Sequence, residues 1–536
     1  MNVGRLLRTV SYLKPIQICY QIRYRVFGFK RIKSISLYPD FNNIDISVSD
    51  LDEDEKYINR FRPIDILSDR IILLNNTVKW EKGRWDYPDK THLWNFNLHY
   101  FEYGIALIAA YKKTGDGAYF EKLLELYNDW HDNALKKYNK DAWHPYTISL
   151  RLRNLLIIYG MLDIKEKYIW IDCVKRDIYD QYIYLYINQE KNLLGNHYFE
   201  NLVTLYICSM FFGDEKRRRK ISSVFKKEVK EQILPDGMHF ERSFMYHNLI
   251  LEDLLRVYKI ADASIRRDIK SAMEKMVNCV YSFELEERLP QFNDAASNVA
   301  KRKSQLINAA KDIMKYKPLL ISELKYAGYY RYCNNGFTII VDAGDIAPSY
   351  ISGHSHCDTL SFELFYRDKP VLVNSGTYNY QTKHRIFFRS TVSHNTLQAI
   401  NCEQSEIWGE HRTGKRSEVI SYCYDSERRC VKGLIKDYKG NELTRKIIFD
   451  AGIQIEDHSD VDFKNYWHIH PDNIVEIIDE KTIRIELVDG GGLWLKALDD
   501  AFEDISNRCL YSEEIGKKEL LDSYRSSSCK IRLDEE

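Results

Sequence analysis

At 536 residues the chain is long enough for two large domains, each able to bury most of its apolar surface. Its 78 acidic side chains balance 78 basic ones, so no global field draws it to nucleic acid or repels a polyanion, and any handling of a charged ligand must be local. The 39 tyrosines supply aromatic faces for packing and for stacking on sugar rings.

The first 33 residues carry eight Lys and Arg before the first acid, Asp40. Lys14 and Pro15 interrupt their apolar run and no small-residue cleavage site follows, so the segment does not read as a signal peptide. It suits a solvated first helix, or peripheral contact with an anionic membrane surface. No stretch offers the roughly 18 uncharged apolar residues of a membrane span. Eleven scattered cysteines, without CxxC pairs, point to reduced thiols and a cytoplasmic protein, with the inner membrane face as an attachment point. Residues 1–88 are expected to form a basic extension and linker.

Residues 89–328 repeat apolar positions at three and four, as in "FEYGIALIAAYKKTG" and "NLILEDLLRVYKIADA", which predicts helix pairs. Residues 329–536 change to a period of two, as in "GFTIIVDAG" and "TIRIELVDGGGLWLKAL", which predicts short antiparallel strands. Segregation of this kind implies an α domain followed by a β domain.

Three stretches could carry chemistry. In "GNHYFENLVTLY" a helix starts just after a glycine, with Asn196 and Glu200 on one face and His197 and Asn201 on the next; a cap and a surface histidine would look the same. In "PDGMHFERSFMYHNLILEDLL", His239, Arg242 and Tyr246 stack along one stripe if the helix begins early, with Glu241 alongside. Arg242 would then favour the Tyr246 phenolate, whereas the packing alternative pairs Arg242 with Glu241. In "SGHSHCDTLSFEL", an extended chain puts His354, His356 and Asp358 on one side, where they could bind a divalent metal or divide proton transfer and metal holding between them. Downstream, Arg389, His394, Glu406, Trp408, Arg412, His468 and His470 add polar groups that would be costly if buried without partners.

The segments "GNHYFEN", "DGMHFERSFMYH", "FNDA", "SGHSHCDTLSFEL", "KPVLVNSGTYNY" and "RSTVSHNTLQ" with "QSEIWGEHR" resemble, in order and spacing, the heparinase II/III-like polysaccharide lyases, relatives of the alginate lyases. "WNFNLHYFEY" and "WHPYTISLRLRN" look like the subgroup associated with bacterial surface-polysaccharide loci. The resemblance implies an incomplete α/α toroid followed by an antiparallel β-sandwich. It also implies β-elimination on a uronic-acid polymer, with Asn196 and His197 neutralising the carboxylate, Tyr246 moving a proton and His354 acting as or assisting the base. His239, Glu241, Arg242, Trp94, His99, Trp143, Arg389 and Trp408 become candidate substrate contacts. His356, His394 and Asn374 would hold one divalent metal, zinc by ligand type, with Asp358 in support. Asn374 stands where the family has an aspartate, and an amide supplies oxygen without charge, so metal affinity should fall.

Two other readings compete. A glycoside hydrolase on the same toroid would draw its carboxylate pair from Glu200, Glu241 or Asp294, and a polysaccharide-binding or assembly protein would keep the cleft without turnover. The only basic cluster, "KRRRK" at 216–220, is too little for a sulfate-reading surface, so the family resemblance does not imply heparin as substrate. The unsaturated product of elimination absorbs in the ultraviolet, and that of hydrolysis does not.

Overall fold

The computed structural model describes residues 3–32, 38–450, 452–488 and 490–536; Met1, Asn2 and Lys33 of the basic opening lie outside them. The helical half is built from pairs. Helices Glu102–Thr114, Pro145–Met161, Gly195–Phe211 and Phe244–Ile260 each pack on the next member of that series, forming an inner layer. Ala118–Trp130, Ile164–Ile187, Glu215–Gln232 and Ala263–Phe283 follow them as outer partners. Burial matches this placement: the inner helix Pro145–Met161 is buried along nearly its whole length, whereas the outer helix Glu215–Gln232 buries only Ile221, Phe225, Val229 and Gln232. An inner helix needs apolar residues all round, and an outer one needs a single stripe.

The stretch before residue 89, expected as extension and linker, is part of this body. Ile46, Leu51, Tyr57, Phe61, Trp80 and Trp85 join the toroid core. The short helix Ser49–Asp52 packs on both Lys303–Met314 and Glu102–Thr114, so it bridges the two ends of the helical series. A hairpin, Arg70–Leu73 with Asn76–Lys79, follows.

The last helix of this half ends at Met314, and the first strand of the β half is Glu323–Leu324. Strands 323–372 form a five-stranded sheet, and an eight-stranded sheet runs in the order 418–425, 430–436, 442–449, 453–459, 530–535, 492–497, 482–486, 474–479. Every strand pairing in both is antiparallel. Ile339, Val341, Phe362 and Leu364 of the first share one core with Ile435, Ile447, Ile455 and Leu495 of the second, so the sheets stack as a sandwich.

A separate core joins the halves. Phe244, Met245 and Tyr246 from the helical side pack with Tyr329, Ile340, Phe365 and Tyr380 from the β side. The segment Asn293–Asp294 acts as the clip: Asn293 N–H donates to Asp358 Oδ2 at 2.6 Å, His356 N–H donates to Asn293 Oδ1 at 3.0 Å, and Asp294 N–H donates to the His354 carbonyl at 3.0 Å. Arg385 locks the Asp294 carboxylate, with Nη2 to Oδ2 at 2.8 Å. These bonds fix the loop 353–358 against the start of Phe244–Ile260.

Candidate active site

A cleft of about 420 Å³ lies where the halves meet, and the N-terminal halves of three inner helices open onto it: Tyr146, Leu150 and Arg153; Asn196, His197 and Glu200; Met245, Tyr246, Leu249 and Glu252. Glu102, the first residue of a fourth, joins them. Helix N-termini carry partial positive charge, so the ring of helix starts favours an anionic group. From the β half come His354, Tyr380, Gln381 and His411.

Asn196 and His197 owe their position to a tight turn. Leu194 sits at φ 64, ψ −152 and Gly195 at φ 58, after which the helix begins at once. That backbone region is costly for leucine, and strain of this sort is held where surrounding structure demands it. A Cβ on Gly195 would lie 2.7 Å from Glu241 Oε1 and 2.9 Å from Ile351 Cδ1, so only glycine lets Glu241 approach. Glu241 then links the two halves of the site: Oε1 accepts the Asn196 N–H at 3.0 Å, and Oε2 meets His354 Nδ1 at 2.6 Å. Burial by itself would raise the Glu241 carboxyl, but His354 and the Asn196 N–H outweigh it and hold the group at about 2. An ionised Glu241 keeps the proton of His354 on Nδ1 and leaves Nε2 as the basic nitrogen.

His197 has the same kind of support. Its Nδ1 lies 3.0 Å from Glu190 Oε1, and its ring packs on Tyr146 at 4.3 Å. Burial lowers its proton affinity, but Glu190 more than reverses this, so the net shift is upward toward the cation.

Tyr246 stacks on His354 with centroids 3.8 Å apart and planes 14° from parallel, and its hydroxyl lies 2.9 Å from that of Tyr380. Burial, reinforced by Tyr380 and Asp294, pushes its phenol well above the ordinary value. This corrects the expectation that Arg242 favours the phenolate. The helix begins at Phe244 after the cap Ser243, so His239, Glu241 and Arg242 precede it and do not share a stripe with Tyr246. Arg242 instead donates Nε to the Ala327 carbonyl at 3.2 Å.

Several expected substrate contacts are structural. Trp94 is 1% exposed and donates Nε1 to the Asn76 carbonyl at 3.3 Å. His99 is fully buried, accepts from Trp130 Nε1 at 3.0 Å, and is driven by burial down to about 3. His239 is buried against Gln232, 3.3 Å away. Trp143 donates to the Leu135 carbonyl and stacks on Tyr138 at 4.7 Å. Trp408 donates to Thr9 Oγ1, and buried Arg389 ties Ser355 to the 409–413 loop. None of these lines the cleft. Their place in segments that resemble the family had marked them, and large aromatic and hydrogen-bonding side chains serve a core as readily as a cleft. Conversely, Tyr380, Tyr146, Arg153 and Gln381 face the cleft without having been singled out; Tyr380 lay within the quoted "GTYNY", its only signal.

A second cluster lies behind the clip. His394 Nδ1 is 2.9 Å from the Ser390 carbonyl and His356 Nε2 is 2.9 Å from Asp294 Oδ1, so each ring spends its N–H on an oxygen. The remaining nitrogens, His356 Nδ1 and His394 Nε2, face each other at 3.1 Å. Burial disfavours the cation of both imidazoles, holding His356 at about 4 and pushing His394 well below the ordinary histidine value. Asp358 Oδ1 is buried without a partner among the described residues, and its carboxylate lies within 4.8 Å of both facing nitrogens. Two converging lone pairs and an orphaned carboxylate oxygen are a donor set that fits a divalent cation. Asn374, expected as a ligand, accepts the Asn395 N–H on its Oδ1 at 3.0 Å, and Asp358, expected in support, is the carboxylate grouped with the two histidines.

The carboxylates needed for hydrolysis are otherwise engaged. Glu241 is held by His354 and Asp294 by Arg385, and neither lines the cleft. Glu200 faces Arg153 at 3.3 Å.

Comparison with known proteins agrees with this geometry. The profile "Heparinase II/III N-terminus" matches residues 29–320, and "Heparinase II/III-like, C-terminal" matches 317–525. A heparin-sulfate lyase of Bacteroides thetaiotaomicron is 23% identical over 442 residues, 70% of this chain and 63% of the relative. One from Pedobacter heparinus is 24% identical over 460 residues, covering 74% and 66%. The chain thus matches just under two thirds of the length of these relatives. The crystal structure of heparinase III superposes with a TM-score of 0.69 at 15% identity, covering 97% of this chain and 90% of that one. A heparan sulfate lyase mutant from Pedobacter heparinus gives 0.58 at 17% identity, covering 97% and 87%. At these identities the likeness speaks for the fold, an α/α toroid joined to a β-sandwich.

Proposed function

The chain belongs to the heparinase II/III family, and from that premise we propose that it is a polysaccharide lyase cleaving a uronate-containing polymer, a bacterial surface polysaccharide or a related one, by β-elimination. The observation that carries this reading is the stack of Tyr246 on His354 at the head of a cleft also lined by Asn196 and His197.

Removing the C5 proton of a uronate loads a second negative charge onto its carboxylate, so neutral or positive donors must meet that group. The Asn196 amide and His197, kept toward its cation by Glu190, supply them. His354 Nε2 takes the C5 proton, with Glu241 stabilising the imidazolium that forms. The C5 electron pair forms the C4–C5 double bond, the C4–O4 bond breaks, and the phenol of Tyr246 protonates the departing oxygen. A phenol held protonated by burial suits that role. Tyr380 orients it through the hydroxyl contact. A divalent cation held by His356, Asp358 and His394 would supply fixed positive charge that ties the His354 loop to the 390–394 segment; no proton transfer above depends on it.

The cleft also suggests which uronates fit. Among its described lining residues there is no lysine, Arg60 is paired with Glu102 at 2.5 Å, and Arg153 is paired with Glu200 and Asp253. Glu252 is paired with Arg256 at 2.7 Å, and Glu514 adds a carboxylate that accepts from Asn75. Helix starts and histidines can neutralise one carboxylate per sugar, but sulfate esters would meet these carboxylates without free cations to pair with. The reading is therefore an unsulfated or sparsely sulfated polymer. A screen of uronate polymers for the ultraviolet absorbance of the unsaturated product tests the proposal; hydrolytic products, or no cleavage by a protein that binds the polymers, would refute it.

A further inference from the structure

The first two helices of the chain each turn several polar residues toward the protein and a set of large apolar ones outward. In Val3–Ser11 no residue is buried. Val3, Leu7 and Val10, spaced at four and three along one face, are 66%, 64% and 37% exposed. On the other side Arg5 and Arg8 donate to Glu406 at 3.1 and 2.8 Å, and Thr9 Oγ1 accepts from Trp408 at 3.0 Å. Pro15–Phe27 repeats the arrangement. Gln17 is buried and donates to the Leu193 carbonyl at 3.0 Å, Tyr24 donates to the Gln189 carbonyl at 2.8 Å, and Lys14 pairs with Glu231 at 2.8 Å. Ile22, Val26 and Phe27 stand 59%, 65% and 80% exposed. A helix on a water-facing surface shows the opposite pattern.

We propose that these two helices bind an anionic lipid bilayer, with Val26 and Phe27 entering the acyl boundary and Arg25, Lys30 and Arg31 meeting lipid phosphates. Those three basic residues are exposed and flank the apolar pair, and no acid precedes Asp40. Charge complementarity decides between occupants. A second copy docking by two-fold symmetry would bring the two basic borders together, whereas an anionic surface satisfies them. Polar contacts with Glu406, Glu231 and the 189–193 loop tether both helices so that their apolar residues face outward.

The test is sedimentation of the full chain with vesicles of phosphatidylcholine alone or mixed with phosphatidylglycerol. The expected result is binding to the mixed vesicles only, weakened by salt, and weakened about tenfold or more by Val26→Ser with Phe27→Ser and by Arg25→Gln with Arg31→Gln. Both positions of the apolar pair are too exposed for serine to disturb folding, and a thermal melt confirms it. A chain that stays in the supernatant with both vesicle types overturns the proposal. So does a dimer that dissociates on the Val26→Ser and Phe27→Ser changes, which would assign the face to a second copy.

Discussion

The imidazole of His354 lies flat on the phenol of Tyr246, centroids 3.8 Å apart, although the two residues come from opposite halves of the chain. The stack sets the proposed base and the proposed acid side by side, with Glu241 bonded to His354 and Tyr380 in contact with the Tyr246 hydroxyl.

Tyr246→Phe keeps the ring, the stack and the helix start, and removes only the hydroxyl. A tyrosine that merely packs would lose about 1 kcal/mol for the missing bond to Tyr380. The expected outcome is a fall in turnover of about two orders of magnitude or more with a nearly unchanged melt and retained polymer binding. Tyr380→Phe should cost only about tenfold, because it orients the acid without being one. Near-normal turnover in Tyr246→Phe would remove the phenol from the mechanism.

Glu241→Gln keeps the shape but leaves His354 without its carboxylate. Turnover should drop by about two to three orders of magnitude. Stability adds a second readout. The folded carboxyl is held at about 2, below its unfolded value, so its contribution is fully present above the unfolded value near 4.3 and is lost as pH falls toward 2. Wild type should therefore exceed the variant by about 1 to 3 kcal/mol at neutral pH, with the gap closing in melts taken at progressively lower pH below about 4.5. A gap independent of pH would mean that Glu241 is not ionised in the fold.

The facing nitrogens of His356 and His394 predict a bound divalent metal in the purified protein, zinc by donor type. Chelation should lower the melting temperature by about 2 to 8 °C, and His394→Ala should abolish that response. Elemental analysis showing no metal, with a melt that chelator does not move, would contradict the assignment.

Arginines already paired with carboxylates, and no lysine among the described lining residues, predict discrimination by sulfation. An unsulfated polymer of glucuronate and N-acetylglucosamine should be cleaved with kcat/KM at least about tenfold above that for heparin. Faster cleavage of heparin would overturn the substrate reading while leaving the lyase reading intact.

The change of hydrophobic period in the sequence settled the order of α and β halves, because burial on one face of a helix or strand is a local demand written into each segment. The sequence also marked Asn196, His197, Tyr246 and His354, but through the order and spacing of the segments that resemble the family; read alone, the Asn196–His197 and Tyr246 segments each had a capping or packing alternative. It could not place Arg242, whose relation to Tyr246 depended on where the helix began, and Ser243 as cap put that start at Phe244. Nor could it tell Trp94 or His99 from cleft residues, since an aromatic in a core and one on a sugar site look alike until neighbours are known. Tertiary structure alone decided that Glu241 would bridge Asn196 to His354, that Asp358 would stand beside two facing histidines, and that the first two helices would turn large apolar residues outward. Each depends on contacts between residues far apart in the chain, made only after the Asn293–Asp294 clip and the shared core bring the halves together.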